Sequence, residues 1–193
     1  MKKLLAIVVL GLLWCNVVFA KCIQGDCKNG QGIWQYPKAK YIGEFKNGLA
    51  HGQATIEFSD GIHIKYVGEF KDGTYYGQGT YISPDKFKYV GEFKYGKYHG
   101  QGKMTIPGVS MYDGEWKDGE QQGQAMLTSQ DGSKYIGEVK NGIFHGQGTY
   151  TWPDGRKYVG EYNEGERNGL GKMILPLGDK YVGEFKNDNF HGR

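Results

Sequence analysis

The sequence predicts an all-β fold: an elongated, twisted, single-sheet array of β-hairpin repeats with about 14 antiparallel strands. Three observations predict it. A Tyr-x-Gly-Glu motif recurs at Tyr41, Tyr66, Tyr89, Tyr112 (as Tyr112-Asp113-Gly114-Glu115), Tyr135, Tyr158 and Tyr181, spaced by 25 residues once and by 23 thereafter. Around each tyrosine the side chains alternate in character, as in Lys157-Tyr158-Val159-Gly160-Glu161-Tyr162, which is the period of a strand with two unlike faces. Turn pairs such as Asn47-Gly48, Asp72-Gly73, Asp118-Gly119 and Asn141-Gly142 follow at a fixed offset.

From the N-terminus, residues 1–20 read as a secretory signal peptide. Met1-Lys2-Lys3 supplies the positive start, Leu4 to Leu13 an apolar run, and Val18-Phe19-Ala20 an exit with short side chains where a signal peptidase reads. Cleavage after Ala20 leaves a mature chain beginning at Lys21. The alternative, an uncleaved membrane anchor, needs about 20 apolar residues and this run is shorter. A lipid anchor is disfavoured, because Trp14 precedes Cys15 and Lys21 precedes Cys22.

Residues 21–29 form a cysteine-containing cap. Cleavage discards Cys15 and leaves Cys22 and Cys27, an even pair that an oxidising compartment allows to close as a disulfide. A share in a metal site is the alternative, although no histidine lies nearer than His51.

Residues 30–193 form the repeat domain, seven hairpins with a period of about 23. In each, an apolar strand such as Thr149-Tyr150-Thr151-Trp152 leads through Pro153-Asp154-Gly155 into the next tyrosine strand. Asp-Gly is expected to make a tight turn in which both central residues take positive φ. The first such strand is Gly30 to Pro37, and the two extra residues of the first interval fall around Ile62-His63, lengthening one turn. With strands about 4.8 Å apart, seven repeats extend roughly 70 Å.

The stretch Tyr-x-Gly-Glu-(Phe/Trp)-x-x-Gly-x-x-His-Gly-x-Gly, complete at His99-Gly100-Gln101-Gly102 and His145-Gly146-Gln147-Gly148, resembles the MORN (membrane occupation and recognition nexus) repeat, and the copies cover residues 25–193. Departures are confined to single slots: Tyr76, Gln122 and Asn168 replace the histidine, Leu170 the glutamine, and Val139 the aromatic residue. The resemblance implies a binding module, with lipid among the partners that the family's name suggests.

A lone hairpin is marginal in water, so each repeat must bury its rings against the next, and stability becomes a nearest-neighbour sum. Glycines recurring at Gly43, Gly68, Gly91, Gly114, Gly137, Gly160 and Gly183 are expected to make room for those rings. The aromatic face comprises Tyr66, Phe70, Tyr89, Phe93, Tyr112, Trp116, Tyr150, Trp152, Tyr158 and Tyr162 as the candidate binding face. It reads either as a groove for an extended peptide, a partner strand or a glycan, or as the only core available. The opposite face carries a glutamate column from Glu44 to Glu184 with lysines beside it, expected to pair across strands.

No catalytic, cofactor or metal site is expected. A glutamate present in every repeat has the repeat as its explanation. His51, His99, His145 and His191 stand about 20 Å apart along such a stack, too far to share a metal bound at about 2.1 Å. Gly91 to Tyr98 mimics a phosphate loop but has Tyr98 where Ser or Thr must hold magnesium.

Loss of Lys2 and Lys3 takes the formal charge from +3 to +1. Near neutrality argues against nucleic acid and weakens the case for anionic lipid. The sequence therefore points to an exported, non-catalytic scaffold of the cell envelope, periplasmic or secreted, that binds another protein. A second copy pairing at the open strand near Tyr181 to Asn187 is one form of that. Lipid binding through the aromatic face and glycan binding or processing are the alternatives.

Overall fold

The computed structural model describes residues 20–58 and 64–192. The expected signal peptide up to Phe19 and the Ile62-His63 insertion lie outside the described residues. The strands are β1 (Lys21–Gly25), β2 (Gln31–Tyr36), β3 (Ala39–Lys46), β4 (Leu49–Phe58), β5 (Lys65–Lys71), β6 (Thr74–Ile82), β7 (Lys88–Lys94), β8 (Lys97–Ile106), β9 (Ser110–Lys117), β10 (Glu120–Ser129), β11 (Lys134–Lys140), β12 (Ile143–Thr151), β13 (Lys157–Asn163), β14 (Glu166–Ile174), β15 (Lys180–Lys186) and β16 (Asn189–His191). They form one open antiparallel sheet in chain order, with no helix among the described residues.

The all-β repeat array is as the sequence predicts, and β2 to β15 are its seven hairpins. One strand is added at each end. The cysteine cap folds Lys21–Gly25 back along β2, pairing Cys22 with Trp34, and the last turn returns Asn189–His191 along β15. The chain divides into two compact units, residues 1–102 and 103–193.

Within each unit the alternation expected from the sequence sets burial. Strands β7, β11 and β13 share one pattern, in which the tyrosine, the glycine and the following ring or valine are buried while the flanking residues face solvent.

Two kinds of hairpin closure recur. Tight two-residue turns join each tyrosine strand to the strand after it: Asn47 and Gly48 have φ of 53° and 78°, and Asn141 and Gly142 51° and 78°. Positive φ at both positions matches the twist of the flanking strands. Tyr95-Gly96, at the phosphate-loop mimic, is another of these turns, with φ of 51° and 76°.

The turn at Asp154-Gly155 is of a different kind, which corrects the tight turn expected there. Only Gly155 has positive φ, at 90°. Its N–H donates to the Trp152 carbonyl at 3.0 Å, and the Trp152 N–H donates to the Arg156 carbonyl at 2.9 Å. This is a three-residue loop ending in a left-handed glycine, and Ser129 to Ser133 closes in the same way with Gln130 where this loop has Pro153, so the loop length and the glycine set it.

The tight hairpins β3/β4, β5/β6, β9/β10, β11/β12 and β13/β14 also carry a bulge, whereas the last, β15/β16, pairs without one. Gly43 faces Ala54 while Glu44 faces His51, so Gly52 and Gln53 are extra on β4. The same step recurs in β11 and β12, where Gly137 faces Gly148 and Glu138 faces His145. Gly52 and Gly146 hold φ of 58° and 56°, a conformation glycine adopts at little cost.

Candidate functional site

The repeat motif resolves into a set of contacts around this bulge. The tyrosine hydroxyl donates to the backbone carbonyl of the motif glutamate in all seven copies, at 2.7 Å for Tyr41, Tyr112 and Tyr135 and at 2.9 to 3.0 Å for Tyr66, Tyr89, Tyr158 and Tyr181. Its ring lies over the paired glycines: a methyl group on Gly79 would come within 2.4 Å of the Tyr66 hydroxyl. The expected need for room beneath the rings is met here.

The glutamate column does something other than the lysine pairing expected of it. The six carboxylates from Glu44 to Glu161 turn back onto a bulge and accept a backbone N–H, for example Glu69 from Gln78 at 3.1 Å, Glu138 from Gln147 at 3.1 Å and Glu161 from Leu170 at 3.1 Å. A bulge removes such a donor from the strand ladder, and a donor left without an acceptor is costly. The glutamates of the first six repeats therefore hold backbone shape.

The rings of the candidate face interlock. In the first unit Tyr66 stacks on Tyr75 with centroids 3.8 Å apart and meets Phe70 and Phe93 edge-on at 5.1 Å. Tyr89 repeats this with Tyr98 at 4.0 Å and Phe93 at 5.1 Å. In the second unit Tyr112 meets Trp116 at 5.0 Å, Tyr135 stacks on Phe144 at 3.8 Å, Tyr162 meets Tyr135 at 5.4 Å, and Tyr158 meets Phe185 at 4.9 Å. A tyrosine of one repeat thus touches the ring of the next, at separations where aromatic pairs add to simple burial.

Eight of the ten candidate residues, Tyr66, Phe70, Tyr89, Phe93, Tyr112, Trp116, Tyr158 and Tyr162, are buried. Tyr150 and Trp152 keep accessible surface. Burial lifts the phenol pKa of Tyr135, with the Glu138 charge adding to it, to about 12. It lifts that of Tyr158 to about 12 as well, against the opposing pull of Arg167.

Tyr150 and Trp152 border a recess of about 180 Å³ in the second unit, lined by Phe144, Tyr150, Trp152, Tyr162, Gly165, Arg167 and Asp188. Trp152 lies beneath two guanidinium groups, Arg156 at 5.1 Å and Arg167 at 5.7 Å, both within cation–π range. Arg167 is clamped from the last turn: its Nε donates to Asp188 Oδ1 at 2.8 Å, its Nη2 to the Asp188 carbonyl at 2.7 Å, and its backbone N–H to Asp188 Oδ1 at 3.0 Å. Partial burial pushes the Asp188 carboxyl upward, and these Arg167 bonds and charge outweigh it, leaving the pKa lowered. The recess offers a fixed cation, two accessible rings and room for one side chain.

Arg167 and Phe144 do not emerge from the tyrosine motif alone. Their slot precedes the histidine position and holds Ala50, Tyr75, Tyr98, Gln121, Phe144, Arg167 and Phe190 through the repeats. Read as a column, it shows an arginine where Tyr75, Tyr98 and Phe144 carry the ring that stacks on the motif tyrosine.

At the ends, Cys22 and Cys27 form a disulfide with a Cα separation of 6.0 Å, within the span such a bridge needs. The open strand expected near Tyr181 to Asn187 is partly covered, because β16 pairs along Glu184 to Lys186. Among the described residues no group of three or more His, Cys, Asp or Glu is placed to hold a metal ion.

Seven segments match the MORN repeat family: residues 41–62, 66–86, 89–108, 112–134, 135–155, 158–180 and 181–193. The chain belongs to the MORN repeat family. Each MORN segment begins at its motif tyrosine, so the family's unit is the hairpin closed by the tight turn. MORN repeat proteins are in general non-catalytic and bind protein or membrane. No curated protein matches the chain. Among solved structures it is similar to the wild-type TCP10 domain of Danio rerio CPAP, determined in complex with a peptide of Danio rerio STIL. That likeness has 15% identity and a TM-score of 0.19, covering 86% of this chain and 100% of that one, and no argument rests on it.

Proposed function

We propose that this MORN protein is an exported, non-catalytic scaffold of the cell envelope that binds another protein through the recess at Tyr150 and Trp152. The observation that carries this reading is the division of the aromatic face. Eight candidate rings are buried, whereas Tyr150 and Trp152 are only half-buried beside the Asp188-clamped Arg167. Aromatic residues and arginine in one recess are the composition of binding hot spots. The fitting ligand is a peptide segment that inserts one apolar or aromatic side chain against the rings and the face of Arg167, whose charge Asp188 already matches, as Asp154 matches that of Arg156. Export is supported by the signal-like N-terminus and by a disulfide, which persists in oxidising compartments.

Affinity capture from envelope extract with the full chain and with Trp152→Ala tests the reading. The wild type is expected to retain a defined protein that Trp152→Ala loses while keeping its circular dichroism spectrum. An identical set of captured proteins would reject the recess as the site. Pelleting of the wild type with neutral or anionic vesicles would move the function to lipid.

A further inference from the structure

The face opposite the rings carries a self-complementary pattern that the recess does not use and of which the fold uses only the glutamates. In the first unit, Ile33, Ile42, Thr55, Val67, Thr80 and Val90 are directly opposite one another from strand to strand, β2 through β7. Ile42, Val67 and Val90 are 41%, 42% and 42% exposed, so this uncharged stripe lies open to solvent.

Charge flanks the stripe unequally. On one side is the row Lys40, Glu57, Lys65, Ile82 and Lys88, three lysines and one glutamate. On the other are Glu44, Glu69 and Glu92, with Gln53 opposite Glu69 and Gln78 opposite Glu92. Every tyrosine strand of this unit therefore presents Lys-x-(Ile/Val)-x-Glu outward: Lys40-Ile42-Glu44, Lys65-Val67-Glu69 and Lys88-Val90-Glu92. The second unit repeats the motif but puts Lys172 opposite Val159 and Val182, a charge in the middle of the stripe.

We propose that the first unit pairs face to face with a second copy of this chain, about a two-fold axis running along the Ile33-to-Val90 stripe. Such an axis sets each tyrosine strand antiparallel over its own copy. Val67 then faces Val67, Lys65 faces Glu69 and Glu69 faces Lys65, with the same exchange at 40/44 and 88/92. A two-fold across the stripe would set lysines over lysines, so the charge layout selects one axis. An isologous contact needs a surface complementary to itself, and side chains of opposite sign across a contact fix register as well as partner.

The glutamates can serve both purposes, since Glu69 and Glu92 spend one oxygen, Oε1, on the bulge at 3.1 Å and 3.2 Å. Lys65 is held by Glu57 at 2.7 Å in the single chain and shares that charge across the contact. Five residues by six strands make a patch of about 15 by 25 Å. At roughly 375 Å² a side this is smaller than the usual specific interface, so the dimer is weak and depends on concentration.

Sedimentation velocity of the mature chain from about 1 µM to about 1 mM is expected to show a monomer–dimer equilibrium that weakens as salt screens the charges. Reversal at Lys40→Glu, Lys65→Glu and Lys88→Glu lowers dimer affinity by at least about tenfold. Because that variant could misfold, a second readout uses Val67→Cys with a short bis-maleimide. It links two copies through position 67, while Leu177→Cys, 95% exposed in the second unit, does not at the same concentration. A chain monomeric at every concentration overturns the proposal. So does a dimer that ignores the charge reversal and fails to link at 67, which would place the contact on a strand edge.

Discussion

At the residue scale, two small groups carry the motif: the glycine at each bulge and the glutamate that caps it. Gly146 holds φ of 56°, and a methyl group there would meet the Glu138 carboxylate at 2.5 Å. Gly146→Ala is therefore expected to cost upwards of about 1 kcal/mol by urea unfolding. Glu138→Ala, which strands the Gln147 N–H, is expected to cost about 1–3 kcal/mol, and Glu138→Gln much less because the amide oxygen can still accept. Equal stability of all three variants would mean that the bulge is not what the motif preserves. Sequence reading found the glycines and the tyrosines, because spacing and alternation are one-dimensional. It missed the glutamate's partner, since the register step that brings Gln147 under Glu138 appears only once the strands are paired.

At the scale of the element, the strand is held by phenols that must stay neutral. Tyr135 and Tyr158 are lifted to about 12 from an unfolded value of about 10. A raised folded pKa means that the native state binds more protons in this range. The contribution is complete below pH of about 10 and is lost as pH climbs through 12. Tyrosinate absorbance should thus lag behind that of the denatured chain, then rise together with loss of strand signal over this window. A titration matching free tyrosine, with the fold intact, would contradict the burial. Turns divide in legibility along the same lines. Asn47-Gly48 could be read directly from its residue pair, whereas Asp154-Gly155 could not, because three residues rather than two separate the paired ends Trp152 and Arg156, a length fixed only once the strands are in register.

At the scale of the whole molecule, the repeat count and the single sheet were legible in the tyrosine period, and the terminal strands were not. β1 depends on the Cys22–Cys27 loop turning the chain back, and β16 on a turn at Asn187-Asp188 with φ of 49° and 66°. β1 carries no copy of the motif, and β16 reaches only its His191-Gly192 end. The candidate face was legible as a set of rings, but which of them stay open depends on Arg167 occupying a ring's slot. Export predicts that the secreted or periplasmic form begins at Lys21 by N-terminal sequencing and shows no free thiol until reduced. An N-terminus at Met1 on the mature protein would place it elsewhere.

The account depends most on the aromatic face being core everywhere except at the recess. Urea unfolding of Tyr158→Ala beside Trp152→Ala tests this directly. Tyr158→Ala is expected to lose about 3–5 kcal/mol, as a buried ring does, and Trp152→Ala well under half of that. Equal losses in the two variants, or a greater loss in Trp152→Ala, would contradict it.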